Sequence, residues 1–147
     1  MNIIKLTLTI TLIMAMVSCS SDDDSTNSPA AVENIVKTGT WKVTRFEDSG
    51  SDETASFGGY DFIFDSNGTL TATSGANLFV GSWSVTDDHS NDDSPDDMHF
   101  NIVFNVNNTF EELSDDWHFV SYSASKIELI HVSGGNGGTD YLTFERN

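Results

Sequence analysis

The side chains with most capacity for chemistry fall into two sets. One is the stretch 87–97, where Asp87, Asp88, Asp92, Asp93, Asp96 and Asp97 put six carboxylates within 11 residues. Calcium is a hard cation that takes six to eight oxygen ligands, so the stretch has the donors for a Ca2+ site. It lacks the Asp-x-Asp-x-Asp-Gly order of an EF-hand loop, and its like charges repel, which favours an extended, solvated loop. The other set is His89, His99, His118 and His131, none with a second histidine two or four residues away. Spacing alone therefore offers no metal-binding pair.

Two polar residues fall in step with apolar ones: Arg45 with Trp41 and Val43, and His131 with Ile127 and Leu129. On inward faces each would cost several kcal/mol if left unpaired. A ligand headgroup, each other, water or a rim position could satisfy them. Catalytic signals are missing from the sequence. There is no nucleophile elbow, P-loop or dinucleotide fingerprint, and no Ser-His-Asp or paired-carboxylate arrangement can be read from position. Glycines 134, 135, 137 and 138 flank Asn136 with no helical pattern to follow, so they make a hairpin loop and not a phosphate cradle. With 23 acidic against 6 basic side chains, the chain carries a net charge of −17, which excludes the clustered cations that nucleic-acid binding needs. The expectation is a protein that is not an enzyme.

The elements that must position these groups are mostly strands. Ala31, Val32, Ile35 and Val36 fall at helical spacing and stop before Thr38-Gly39, predicting one short helix. After that the apolar residues alternate with period two. Trp41 and Val43 open the series, and Tyr60, Phe62 and Phe64 share the next face before a turn at Asp65-Ser66-Asn67-Gly68. Leu70 with Ala72 follows, then Phe79, Gly81, Trp83 and Val85, then Phe100, Ile102, Phe104 and Val106. Trp117 with Phe119, Ile127 with Leu129, and Leu142 with Phe144 complete it. Residues 108–115 fit either a strand or a short helical turn. About eight strands with turn signals every 8–12 residues predict an all-β fold. An antiparallel up-and-down barrel suits the short sequential turns, and closure removes exposed edges.

The first 18 residues pair Lys5 with an apolar stretch at 6–17, too short to span a bilayer and suited to a cleaved signal peptide. Met16-Val17-Ser18-Cys19 resembles the lipobox of bacterial lipoproteins. That resemblance implies cleavage before Cys19, the only cysteine, and lipidation of its thiol and amino group. Several acyl chains would then hold the protein stably on a membrane. Residues 19–30 read as an acidic tether, and Ser20-Ser21-Asp22-Asp23-Asp24 resembles the export signal of Bacteroidetes surface lipoproteins. The implied place is the outer membrane, facing outward, with residues 31–147 as the folded domain.

That domain resembles the lipocalin-like lipoproteins of the Bacteroidetes. The likeness rests on Gly39-Thr40-Trp41, Phe62-Ile63-Phe64 before Asn67-Gly68, Gly81-Ser82-Trp83, Asp116-Trp117 and the closing Leu142-Thr143-Phe144-Glu145-Arg146. It implies a lipocalin-like β-barrel in which Trp41 packs under Arg146 to close one end. The Thr139-Asp140-Tyr141 triplet falls in the last strand, away from where lipocalins carry their Thr-Asp-Tyr motif. The expected function is binding of a small apolar or amphipathic ligand, with Phe62, Phe64, Trp83, Phe104 and Trp117 lining a cavity and Arg45 or His131 engaging a polar end. The rival is a filled-core surface protein that binds another envelope component through its acidic rim. An open cavity of roughly 300 Å3 or more separates them.

Overall fold

The structure is a computed structural model, and it describes residues 28–88, 98–135 and 137–147. A helix, α1 (Pro29–Val36), opens the fold. It starts two residues before the expected 31, because Ser28 caps it by accepting a hydrogen bond from the Ala31 N–H at 3.3 Å and Pro29 sits in its first turn. Val32 and Val36 are buried on one side of it.

Among the described residues nine strands follow: β1 (Trp41–Asp48), β2 (Ser51–Asp52), β3 (Asp61–Phe64), β4 (Thr69–Ser74), β5 (Asn77–Asp87), β6 (Met98–Val103), β7 (Asp115–Tyr122), β8 (Lys126–Val132) and β9 (Thr139–Arg146). All pairings are antiparallel. The short β2 only extends a hairpin from the end of β1. The other strands pair in the order β1-β3-β4-β5-β6-β7-β8-β9, and β9 pairs back onto β1 from Trp41↔Arg146 to Glu47↔Tyr141. The result is a closed, eight-stranded, up-and-down barrel with one short helix. The turn from β3 to β4 uses Gly68 at φ 81°, where Asn-Gly avoids a steric penalty.

Inward phases fill the barrel. Trp41, Phe62, Phe64, Leu70, Ala72, Trp83, Phe100, Ile102, Trp117, Ile127, Leu129, Leu142 and Phe144 are all buried, as their alternation predicts. At Gly81 the β5 backbone lies so close to β6 that an added Cβ would stand 2.4 Å from the Val103 carbonyl oxygen.

Both ends of the barrel are occupied. The end where β1 starts and β9 finishes is covered by α1, whose Val36 carbonyl accepts from the Trp41 indole at 2.9 Å. Towards the other end two 3-10 turns, Thr54–Phe57 and Thr109–Leu113, bury Phe57, Phe110 and Leu113. The second makes a helical turn of 109–113 within the ambiguous segment 108–115, capped by the Asn108 side chain accepting from the Phe110 N–H, while Asp115 already opens β7.

One inward expectation is corrected. The register between β1 and β9 shifts between Val43 and Arg45, a β-bulge. The extra residue turns Arg45 outward and brings Phe46 into the core in its place.

Candidate functional site

Four regions could carry function: the interior, the rim where β7 begins and β8 ends, the outer wall of β6 and β7, and an acidic surface at the end of β1.

The five aromatics expected to line a cavity are all interior, and they contact other rings. Phe64 meets Trp83 at 5.4 Å, Phe100 at 5.5 Å and Phe144 at 5.4 Å between ring centroids. Phe62 meets Phe144 at 5.4 Å and Phe110 at 6.1 Å. Phe104 meets Phe110 at 5.4 Å, and Trp117 meets Phe46 at 6.4 Å. Phe110 stacks on Phe79 at 4.3 Å and also touches Phe57 and Tyr60. Most of these pairs are edge-to-face or tilted, the arrangements that the ring quadrupole favours. The buried indoles are satisfied by backbone: Trp83 donates to Asp65 O at 3.0 Å and Trp117 to Leu113 O at 3.1 Å.

Trp41 and Arg146 meet as the resemblance implies. The guanidinium carbon lies 4.8 Å from the Trp41 ring centroid, and Nη2 donates to the Ile35 carbonyl at 2.8 Å. Arg146 therefore ties β9, β1 and the last turn of α1 together.

Arg45 engages nothing inside. It lies on the outer wall, donating to both Glu47 carboxylate oxygens at 3.0 and 3.1 Å, with its guanidinium 4.2 Å from the Tyr141 ring centroid. Nearby, Lys126 and Ser121 hydrogen-bond to Glu128 and hold its carboxyl below the usual range, Lys126 contributing most.

His131 keeps its inward phase but sits at the rim. Its register partner on β9 is Asp140. Its Nδ1 lies 2.9 Å from Asp115 Oδ2 and 3.6 Å from Asp140 Oδ2, with the ring 6.2 Å from Trp117. Asp140 is fixed by accepting from the Ser49 N–H at 2.7 Å through its other oxygen. Asp116 completes the group: one ligand atom from each of Asp115, Asp116 and His131 lies within 4.8 Å of the others.

On the adjoining outer wall, His99 of β6 and His118 of β7 are register partners with ring centroids 4.4 Å apart. His99 Nε2 lies 3.1 Å from Asp88 Oδ2, and its Nδ1 lies 3.6 Å from Asp116 Oδ2. Spacing along the chain gave no hint of either cluster, because strand pairing assembles both. The only signal available was that His118 and His131 fall within predicted strands and His99 immediately precedes one.

Of the acidic stretch proposed for calcium, Asp87 ends β5 and Asp88 pairs with His99. Asp92, Asp93, Asp96 and Asp97 lie outside the described residues, as does Cys19. A separate acidic surface forms where the Thr109–Leu113 turn meets the end of β1. There burial, and then the charges of Glu53 and Asp48, hold the Glu112 carboxyl above its usual range.

No protein-family model matches the chain. No curated protein matches it either. A matching solved structure is that of a DUF4847 family protein from Bacteroides vulgatus, at 18% identity over 79% of this chain and 97% of that one, with a TM-score of 0.48.

Proposed function

We propose that the protein is a non-enzymatic interaction module of the cell envelope, held by a lipidated Cys19, whose barrel is a filled scaffold and whose outer surface and acidic rim meet a partner. The observation that carries this reading is the packing of the interior. The rings that would line a ligand cavity contact one another, with α1 over one end and Phe57, Phe110 and Leu113 buried towards the other. A small apolar ligand would have to displace buried side chains that already contact one another. The two polar groups expected to grip its headgroup are otherwise engaged: Arg45 outside with Glu47, and His131 beside Asp115 and Asp140. The binding chemistry on offer is instead a strongly negative field, with Glu112, Glu53 and Asp48 converging at the far end of the barrel from α1. Such a field favours a basic partner and speeds its approach.

Native mass spectrometry on the protein released from its own envelope tests the reading. The expected spectrum shows the chain with its acyl anchor and no organic adduct. A stoichiometric small organic molecule that survives detergent exchange would overturn the filled-core assignment and restore the small-ligand reading. Replacing Cys19 with Ser should move the protein out of the membrane fraction; a variant that stays there removes the anchor.

A further inference from the structure

We infer that the rim of the barrel binds one divalent first-row transition-metal ion through Asp115, Asp116 and His131, with Asp140 Oδ2 3.6 Å from the same imidazole nitrogen. The site does not depend on whether the interior is filled.

Its geometry is the first support. Ligand atoms of the three residues converge within 4.8 Å, although they come from the start of β7 and the end of β8. The contact between His131 Nδ1 and Asp115 Oδ2 is the second. The two atoms are 2.9 Å apart, yet this buried nitrogen makes no hydrogen bond. A shared proton must lie close to the N···O line to bond both. A metal does not. Metal–ligand bonds of about 2.0–2.2 Å put adjacent N and O ligands about 3.0 Å apart at a right angle and about 3.4 Å apart at a tetrahedral one. The metal itself then stands well off the line between them. A close nitrogen–carboxylate contact without a hydrogen bond is therefore what one edge of a coordination polyhedron looks like.

Charge is the third. Three carboxylates gather here, and among the described residues their ion pairs are all with histidine: Asp115 and Asp140 with His131, and Asp116 with His99. No lysine or arginine among the described residues competes for the place an ion would take. The Ser49 N–H donates to Asp140 at 2.7 Å, the kind of support that fixes carboxylates around a metal, and His99 Nδ1 lies 3.6 Å from Asp116 Oδ2. Asp116 is exposed, which gives the ion a path from solvent.

The donor set decides the class of metal. One imidazole with two or three carboxylates suits Zn2+ and its first-row neighbours, whereas Ca2+ and Mg2+ prefer oxygen alone. This separates the site from the acidic stretch 87–97, whose carboxylates would favour calcium.

The test is calorimetric titration of the full-length protein, stripped with EDTA, using Zn2+ alone and then Ca2+ alone. The wild type should take up one equivalent of Zn2+ saturably, and Ca2+ should not compete for it. His131→Gln and Asp116→Asn should each weaken Zn2+ binding tenfold or more. Asp116 is exposed, so its replacement does not threaten the fold. Co2+ substitution should give visible absorption bands that His131→Gln changes. Absence of saturable Zn2+ uptake overturns the site. Uptake unchanged in both variants, but lost when Asp92, Asp93, Asp96 and Asp97 become Asn, also overturns it, since the acidic stretch would then be the binder.

Discussion

Replacing Arg146 with Ala removes a side chain that joins the first strand, the last strand and the helix. Its guanidinium lies 4.8 Å from the Trp41 ring centroid and donates to the Ile35 carbonyl at 2.8 Å. That carbonyl belongs to the last turn of α1, where it also accepts from the Thr38 N–H at 3.2 Å and the helix dipole is negative. The cation–π contact contributes about 0.5–2 kcal/mol. A hydrogen bond from a charged donor contributes about 1.5–3 kcal/mol. The two share one group and do not add fully, so the expected loss is about 2–3 kcal/mol. Against a typical stability of about 5–15 kcal/mol this is large, and it lowers Tm by roughly 10 °C in a domain of this size. Urea denaturation followed by the fluorescence of the buried Trp41, Trp83 and Trp117 reads it directly. Hydrogen exchange of the α1 amides should accelerate more than that of the β4–β5 hairpin, because the helix loses its tie. Arg146→Lys should fall between, keeping the charge without the planar fork. A loss below about 0.5 kcal/mol for Arg146→Ala, or an Arg146→Met variant as stable as the wild type, would refute the electrostatic account of closure.

Gly81→Ala should destabilise by about 1–3 kcal/mol in the same urea assay, since its Cβ would meet the Val103 carbonyl oxygen at 2.4 Å and a Phe104 ring carbon at 2.9 Å; a neutral result would mean that β5 and β6 separate freely. Phe110→Ala should cost about 3–5 kcal/mol and open the interior to a hydrophobic dye that the wild type does not bind. Dye binding by the wild type would contradict the packed core. Glu112→Gln should raise Tm slightly at neutral pH, by no more than a few tenths of a kcal/mol because the residue is largely solvated. Burial, Glu53 and Asp48 raise the folded-state pKa, so ionised Glu112 costs stability above that value. The advantage of Gln should fade as pH falls through the folded pKa towards the unfolded one, and a gain that grows with acidity would reverse the assigned cause.

Most of the fold was legible because each strand carries a simple alternation. Leu70 with Ala72, Phe100 with Ile102 and Leu142 with Phe144 point inward as the pattern requires. The plugging of the far end was not legible. Phe57 and Phe110 stand in irregular segments, and nothing local says that rings 53 residues apart meet at 5.4 Å. The site was less legible still. Asp115, His131 and Asp140 look like isolated polar residues until β7, β8 and β9 lie side by side. His131 shows the limit in one residue. Its phase is inward as read, but the choice between a ligand headgroup and a neighbouring carboxylate depends on register, which alternation does not give.

Arg45 was misplaced for a different reason, and one that sequence can address. Strict alternation from Trp41 and Val43 puts Arg45 inside and Phe46 outside. Burying an unpaired guanidinium costs several kcal/mol, and exposing Phe46 forfeits about 1.5–3 kcal/mol more. A bulge that slips the phase by one residue disrupts the ladder locally, and a backbone hydrogen bond is worth only about 0.5–1.5 kcal/mol net. The slip therefore wins, and the apolar interval of three from Val43 to Phe46 records it. β7 repeats the arithmetic. Its register shifts between Phe119 and Ser121, and Tyr122, three residues beyond Phe119, packs against the core while Ser121 stays outside. Where alternation would bury a polar side chain and the next aromatic comes one residue late, the chain inserts a residue. A period-two reading that allows one such slip per strand puts Arg45 on the outer wall, where it pairs with Glu47.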